Sequence, residues 1–241
     1  MPAPADAERD RQKRAAAARA VDSVMPNMVL GLGSGSTAEF VLEALAARVA
    51  QGLRVVGIAT SQRTEALARR LGVSLTSFAE HRRLDLTIDG ADEVERTTLN
   101  LVKGLGGALL REKIVAAASA RMIVVVDESK LVDRLGVHVP VPVEIVPFGW
   151  QTVLERLCGL RARPVLRRVG EAPFVTDGGN YIADCAFSVI PDAAALERQL
   201  AAVIGVVESG LFIGRADTVI IGRPSGVEIQ EKGMTLGPLR P

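Results

Sequence analysis

Apolar runs that alternate with amphipathic stretches constrain this chain more than any other feature. MVLGLG, LRVVGIA, VSLTSF, LDLTI and MIVVVD read as short buried strands. Between them lie TAEFVLEALAARVAQ, SQRTEALARRLG and ALLREKIVAAASA, whose apolar residues recur at helical spacing. Strands separated by helices of this length are joined by right-handed crossovers, which predicts an α/β fold with a parallel sheet. The N-terminal DAERDRQKRAAAARAVDSV adds a further helix, with Asp6 placed to cap it.

The pattern changes near Pro140. HVPVPVEIVP is extended and punctuated by proline, and a helix follows around GWQTVLERLCGL. PVLRR and FVTDGGNYIADCAF read as strands with a hairpin turn at Gly-Gly-Asn. PDAAALERQLAAVIG has the proline start and glycine end of a helix, and VVESGLF and DTVIIG look like further strands. The expectation is a smaller α+β lobe inserted at residues 136–210, forming an oligomer interface, with an α/β catalytic domain built from 1–135 and 211–241.

Charge and composition narrow the function. Lys and Arg number 29 against 28 Asp and Glu, so the basic excess of a nucleic-acid grip is missing. No apolar run reaches membrane-spanning length, and the N-terminal segment lacks an apolar signal core. Cys158 and Cys185 have no metal-site spacing and read as buried, reduced thiols of a cytoplasmic protein. His81 and His138 have no triad or metal partners in sequence and read as structural, and there is no G-x-S-x-G elbow. The partner expected is a small molecule, with neither nucleic acid nor membrane.

Two loops carry chemistry. GLGSGSTAEF joins a strand to a helix, so Ser34, Gly35, Ser36 and Thr37 can meet an anion at a helix N-terminus. It lacks the Gly-Lys-Ser/Thr of a Walker loop, and Ala38 stands where a G-x-G-x-x-G would end. The next strand ends in IATS, without an acid for a ribose, so a phosphorylated metabolite fits better than a nucleotide. The same residues also suit a plain turn with Ser36 or Thr37 as N-cap.

The second loop system is DGADEVERTTLNLVKGLGGALLRE. Asp89 and Asp92 form a tight acidic turn after an apolar strand, with Glu93 and Glu95 beside them. Lys103 precedes Gly104, Gly106 and Gly107, and Glu112 falls early in the next helix. A carboxylate beside an ammonium suits removal of a proton next to a carbonyl, with the cation stabilising the oxyanion. The bland alternative is solvated turn acids, with Glu112 complementing a helix dipole. Magnesium is compatible with the acids, but nothing in the sequence requires it. Lysines number five among the 29 cationic residues, so one kept beside a glycine loop suggests a compact charge rather than a guanidinium fork. Lys130, in DESK after a strand, is a further anion contact, though by itself it reads as an exposed helix lysine.

Taken in order, GLGSGSTAEF, DLTIDGADEVE, VKGLGGALLREK and DESK resemble the A-type ribose-5-phosphate isomerases. The resemblance continues through VPVEIVPF, FVTDGGNYIADC, GVVESGLF and ADTVIIG. It implies interconversion of ribose 5-phosphate and ribulose 5-phosphate through an enediolate, without metal or cofactor, in the non-oxidative pentose phosphate pathway. Glu112 would move the proton between C1 and C2, and Lys103 would stabilise charge on oxygen. Asp89 and Asp92 would hold sugar hydroxyls and assist ring opening. Ser34, Gly35, Ser36 and Thr37 would hold the phosphate or nearby hydroxyls, with Lys130 and the N-terminal Lys13 adding charge and Gly104, Gly106 and Gly107 beside the substrate. The resemblance also implies a doubly wound, mostly parallel α/β sheet domain with a smaller inserted α+β lobe, and a homodimer or homotetramer. Ser34 stands where the family often has threonine, Leu105 interrupts a loop that is commonly all glycine, and Leu110 replaces a common threonine. An amino-sugar phosphate deaminase would bring a histidine to the site, and both histidines lie outside these loops. A non-catalytic phosphometabolite binder would not need Glu112 with Lys103.

Overall fold

In the computed structural model, which describes residues 4–233, six strands build the central sheet. Their order is Gly226–Glu231, Thr218–Arg223, Met122–Asp127, Leu86–Asp89, Val29–Leu32, Val56–Ala59. Neighbours run parallel except in the hairpin of the first two. The strand Met122–Asp127 is buried along its whole length, as expected for a strand covered on both faces.

Among the described residues six α-helices follow in chain order: α1 (Pro4–Val21), α2 (Ser36–Ala50), α3 (Gln62–Arg70), α4 (Leu109–Ala118), α5 (Trp150–Gly159) and α6 (Ala193–Ala201). Ala16, Ala17 and Ala20 of α1 and Leu42 and Leu45 of α2 pack with Leu30 and Leu32 on one face of the sheet. Gly31, between those two leucines, faces the other way, onto Thr87 and Val115 of α4. Helices on both faces make the sheet doubly wound. Each buried leucine contributes about 1.5–3 kcal/mol.

A second sheet, antiparallel throughout, has the order Val206–Ser209, Val141–Ile145, Tyr181–Ala186, Arg163–Leu166. With α5 and α6 it encloses its own apolar cluster, including Val143, Leu157, Ala183 and Leu200. A third, small sheet joins Leu211–Phe212, Leu101–Val102, Glu93–Glu95 and Leu131–Val132 beneath the acidic turn. Among the described residues, no helix is long and apolar enough to cross a membrane.

Five expectations change. The first helix begins at Pro4, so Asp6 stands inside it rather than at its cap, and the Asp6 side chain lies outside the described residues. VSLTSF is not a strand; it touches the sheet through the single bridge Gly57–Leu75 and turns away. FVTDGG does not pair as a hairpin arm, because the Thr176 hydroxyl and the Asn180 amide both donate to buried Glu144 (2.9 Å each) and curl the segment into a turn. VVESGLF divides at Gly210 between two sheets, where Gly210 bonds both Pro142 O and the Lys103 amide. Cys158 is exposed, one position past the buried Leu157 on α5, whereas Cys185 is buried in its strand. The closing strand Gly226–Glu231, which includes the exposed Val227 and Ile229, was not anticipated.

Candidate active site

The C-terminal ends of the parallel strands collect the chemistry, as open α/β sheets do. After Val29–Leu32 the chain crosses directly over Asp89: the Ser34 amide donates to Asp89 Oδ1 at 3.0 Å, and the Gly33 amide donates to Ile88 O at 3.1 Å. A Cβ on Gly33 would lie 2.1 Å from Asp89 Oδ1, so only glycine permits the crossing. The Ser34 hydroxyl turns into the protein and meets those of Thr60, Ser61 and Thr64 at 2.7, 2.9 and 3.1 Å, tying the loop to the start of α3.

The N-cap of α2 is Gly35, and no side chain caps the helix. Ser36 and Thr37 occupy its first turn, so neither is the N-cap. Uncapped amides at a helix start carry partial positive charge and attract anions. Lys13 reaches from α1 to within 3.4 Å of Ser36 Oγ, and Lys130 lines the same cavity.

At the other end, Lys103 is buried among carboxylates. Its Nζ donates to Gly90 O at 2.6 Å, lies 3.0 Å from Asp89 Oδ2 and 3.4 Å from Glu112 Oε2, and has the Phe212 ring centroid at 5.6 Å. The chain then turns sharply at Gly104 (φ 101°), where a Cβ would lie 2.7 Å from that of Leu109. That turn starts α4 and puts Glu112 on its first turn, back over Lys103. Burial alone would lower the Lys103 ammonium, but the carboxylates of Asp89, Glu112 and Asp92 outweigh it and hold the group above the ordinary lysine range. Burial pushes Glu112 up to about 8, against the pull of Lys103, and the charges of Asp89 and Asp92 add to the rise. One ammonium cannot neutralise three carboxylates, so Glu112 is the acid poised to hold a proton. Its Oε2 accepts no hydrogen bond among the described residues.

Asp92 lines the cavity and accepts the Leu105 amide at 2.9 Å. Asp89 is fully buried against Lys103 and is not among the residues lining the cavity. Glu112, Lys103, Ser34, Gly35, Ser36, Thr37, Lys13, Lys130, Gly104, Gly106 and Gly107 line the same cavity of about 270 Å³, room for a small phosphorylated molecule. Glu93 is buried and accepts the amides of Gly136, His138 and Val139, so it anchors a loop outside the cavity. Sequence reasoning missed Ser61, Arg63, Phe174 and Asp177, which also line the cavity. Ser61 had a signal, because it caps α3 by accepting the Thr64 amide at the same sheet edge. Phe174 and Asp177 arrive from far along the chain and had none. A larger hollow of about 590 Å³ lies beside α3 and α4, with Glu65, Arg69 and Glu80 in its wall, away from Lys103 and Glu112.

A buried acid raised towards neutrality, next to a buried ammonium and an uncapped helix start at the C-terminal edge of a parallel sheet, is the set of groups that an α/β enzyme of the aldose–ketose isomerase class needs to act on a sugar phosphate. The family model for ribose 5-phosphate isomerase A (phosphoriboisomerase A) matches residues 56–226. A ribose-5-phosphate isomerase A of Gloeobacter violaceus is 54% identical over 220 residues, which cover 91% of this chain and 96% of that one. Among solved structures, ribose 5-phosphate isomerase A of Methanocaldococcus jannaschii superposes with a TM-score of 0.89 at 40% identity, covering 92% of this chain and 99% of that one. A D-ribose-5-phosphate isomerase in complex with phospho-erythronic acid has the same TM-score at 37% identity, with 92% and 99% covered. The chain belongs to the ribose 5-phosphate isomerase A family, and it is an isomerase that interconverts ribose 5-phosphate and ribulose 5-phosphate.

Proposed function

We propose that Glu112 carries the proton between C1 and C2 of the open-chain pentose phosphate, while Lys103 stabilises the negative oxygen of the enediolate. The observation that supports this is the 3.4 Å contact between Glu112 Oε2 and Lys103 Nζ, both buried in the cavity wall. A carboxyl poised near neutrality accepts a proton from one carbon and returns it to the next at little cost. Lys103, held by Gly90 O and Asp89, is arranged before the substrate arrives and needs no reorganisation as charge develops. A positioned base contributes about 10²–10⁴-fold, and the remainder falls to electrostatics and orientation.

In this reading Asp92 meets the sugar hydroxyls. Asp89 acts behind them, holding Lys103 on one oxygen and the Ser34 amide on the other. Gly35, Ser36 and Thr37 receive the phosphate at the open start of α2, with Lys13 and Lys130 as counter-charges. Ser34 supports that loop through its hydroxyl network. Gly104, Gly106 and Gly107 form the wall beside Lys103. A phospho-erythronate joins a carboxylate to a phosphate through a short polyol, the charge pattern of an enediolate phosphate, so this chain is expected to bind it as well.

We place the inserted lobe at residues 136–210 and assign it the subunit contact of a cytoplasmic homodimer or homotetramer. Phe148 and Ile204 support this, because they are 94% and 79% exposed on that lobe, and large apolar side chains so exposed suit a subunit contact. Light scattering of the purified chain reads the stoichiometry, and a monomer would remove the assignment. The chemistry is tested by running ribose 5-phosphate in deuterated water with a chelator present. Ribulose 5-phosphate carrying deuterium at C1 is expected from the wild type. Lys103→Met is expected to lose about 10²–10³-fold in kcat, as for loss of one oxyanion donor. A loss of less than 10-fold would take that role from Lys103.

A further inference from the structure

Lys103 depends for its position on a glycine-rich segment, and that segment is gripped from the inserted strands. Arg167 follows the strand Arg163–Leu166, and its guanidinium is mostly buried. Nε donates to Asp184 Oδ2 at 2.9 Å, and Nη2 makes a second, short contact with Asp184 Oδ1. Nη1 then donates to two successive carbonyls, Gly104 O at 3.1 Å and Leu105 O at 2.8 Å. The Phe174 ring, 5.7 Å from the guanidinium carbon, lies against Gly107. From the opposite side Asp92 accepts the Leu105 amide at 2.9 Å.

We propose that Arg167 is a positioning residue for the isomerisation: pinned by Asp184, it fixes the carbonyls of Gly104 and Leu105 and so sets Lys103 against Glu112. The inference rests on the roles proposed above for Lys103 and Glu112. Three glycines in five residues leave this backbone with many accessible conformations, and ordering it costs more than for other residues. Two charge-assisted bonds from one preordered fork offset that cost without occupying the cavity. Because Gly104 is the residue after Lys103, a shift of its carbonyl moves the lysine backbone directly. A misplacement of about 1 Å costs roughly 10²-fold in rate. Lysine cannot substitute, since a point charge does not match both a carboxylate and two carbonyls. The same contacts explain why leucine is acceptable at position 105: the loop uses its amide and carbonyl, while the side chain is 38% exposed.

The test is steady-state kinetics on ribose 5-phosphate. Arg167→Ala and Arg167→Lys are expected to lose about 10–100-fold in kcat, with KM within about 3-fold. Added guanidinium ion should restore part of the kcat of Arg167→Ala and none of that of Glu112→Gln. Asp184→Asn keeps the arginine but unpins it, and is expected to lose a smaller factor in kcat than Arg167→Ala. Wild-type kcat in the arginine variants overturns the proposal. So does a loss of kcat that tracks the folded fraction by circular dichroism and shows no guanidinium rescue. If Arg167→Ala does not fold, Asp184→Asn decides, and unchanged kcat there overturns the proposal. Failure of the underlying reading shows separately, as wild-type turnover in Glu112→Gln.

Discussion

Replacing Glu112 with Gln separates the acid's two consequences, because the amide keeps the shape and removes the titration. In the folded protein burial raises this carboxyl from 4.5 to about 8. Below about pH 4.5 the carboxyl is protonated in both folded and unfolded chains, and the two proteins should be equally stable. Between there and about pH 8 the folded wild type keeps a proton that the unfolded chain has released, so its stability falls as pH rises. At 1.36 kcal/mol per pH unit the whole interval amounts to roughly 5 kcal/mol. Glu112→Gln does not share this loss, and comparing the two proteins cancels the titration of groups that do not interact with Glu112. At pH 9 the variant should therefore melt higher than the wild type, by about 2–4 °C for each kcal/mol recovered. Its kcat should nevertheless be lower by about 10²–10⁴-fold, with substrate affinity largely kept. On the wild type, kcat/KM should rise with pH up to about 8, because protonated Glu112 cannot act as a base. Thermal melts at pH 4.5 and 9, with kinetics across that range, read all of this. A variant no more stable than wild type at pH 9, or one that turns over normally, would refute the reasoning.

Two further outcomes follow from the geometry. Lys13→Met and Lys130→Met should each raise KM for ribose 5-phosphate by about 10-fold or more at little change in kcat, the loss of one charged hydrogen bond to phosphate; a pure kcat effect would place these lysines elsewhere. Gly33→Ala drives a methyl to 2.1 Å from Asp89 Oδ1 and should destabilise the protein by at least about 1–3 kcal/mol, visible as a lower melting temperature; an unchanged melt would mean that the crossing is looser than described.

Much of this protein is local and therefore legible in the chain. Runs such as MIVVVD and amphipathic stretches such as TAEFVLEALAARVAQ carry the strand and helix periods, and their alternation leads to the doubly wound sheet. Glu112, Lys103, Asp92 and the Ser34–Thr37 loop were also visible, because they sit in the loops or first helical turn that follow a strand, where open sheets place ligands. What the chain could not show depends on partners distant in sequence. Strands of two or three residues, such as Leu101–Val102, have no period to detect and exist only because neighbours complete them. FVTDGG has the composition of a hairpin, but buried Glu144, more than 30 residues earlier, takes its polar groups and makes it a wall of the cavity. Asp89 and Asp92 look alike in sequence; packing alone puts one behind Lys103 and leaves the other facing the cavity. Periodicity and loop chemistry thus determined the architecture and the types of candidate catalytic group. Burial and long-range hydrogen bonding, which have no local signature, decided that Glu112 is raised towards neutrality and which groups surround the lysine.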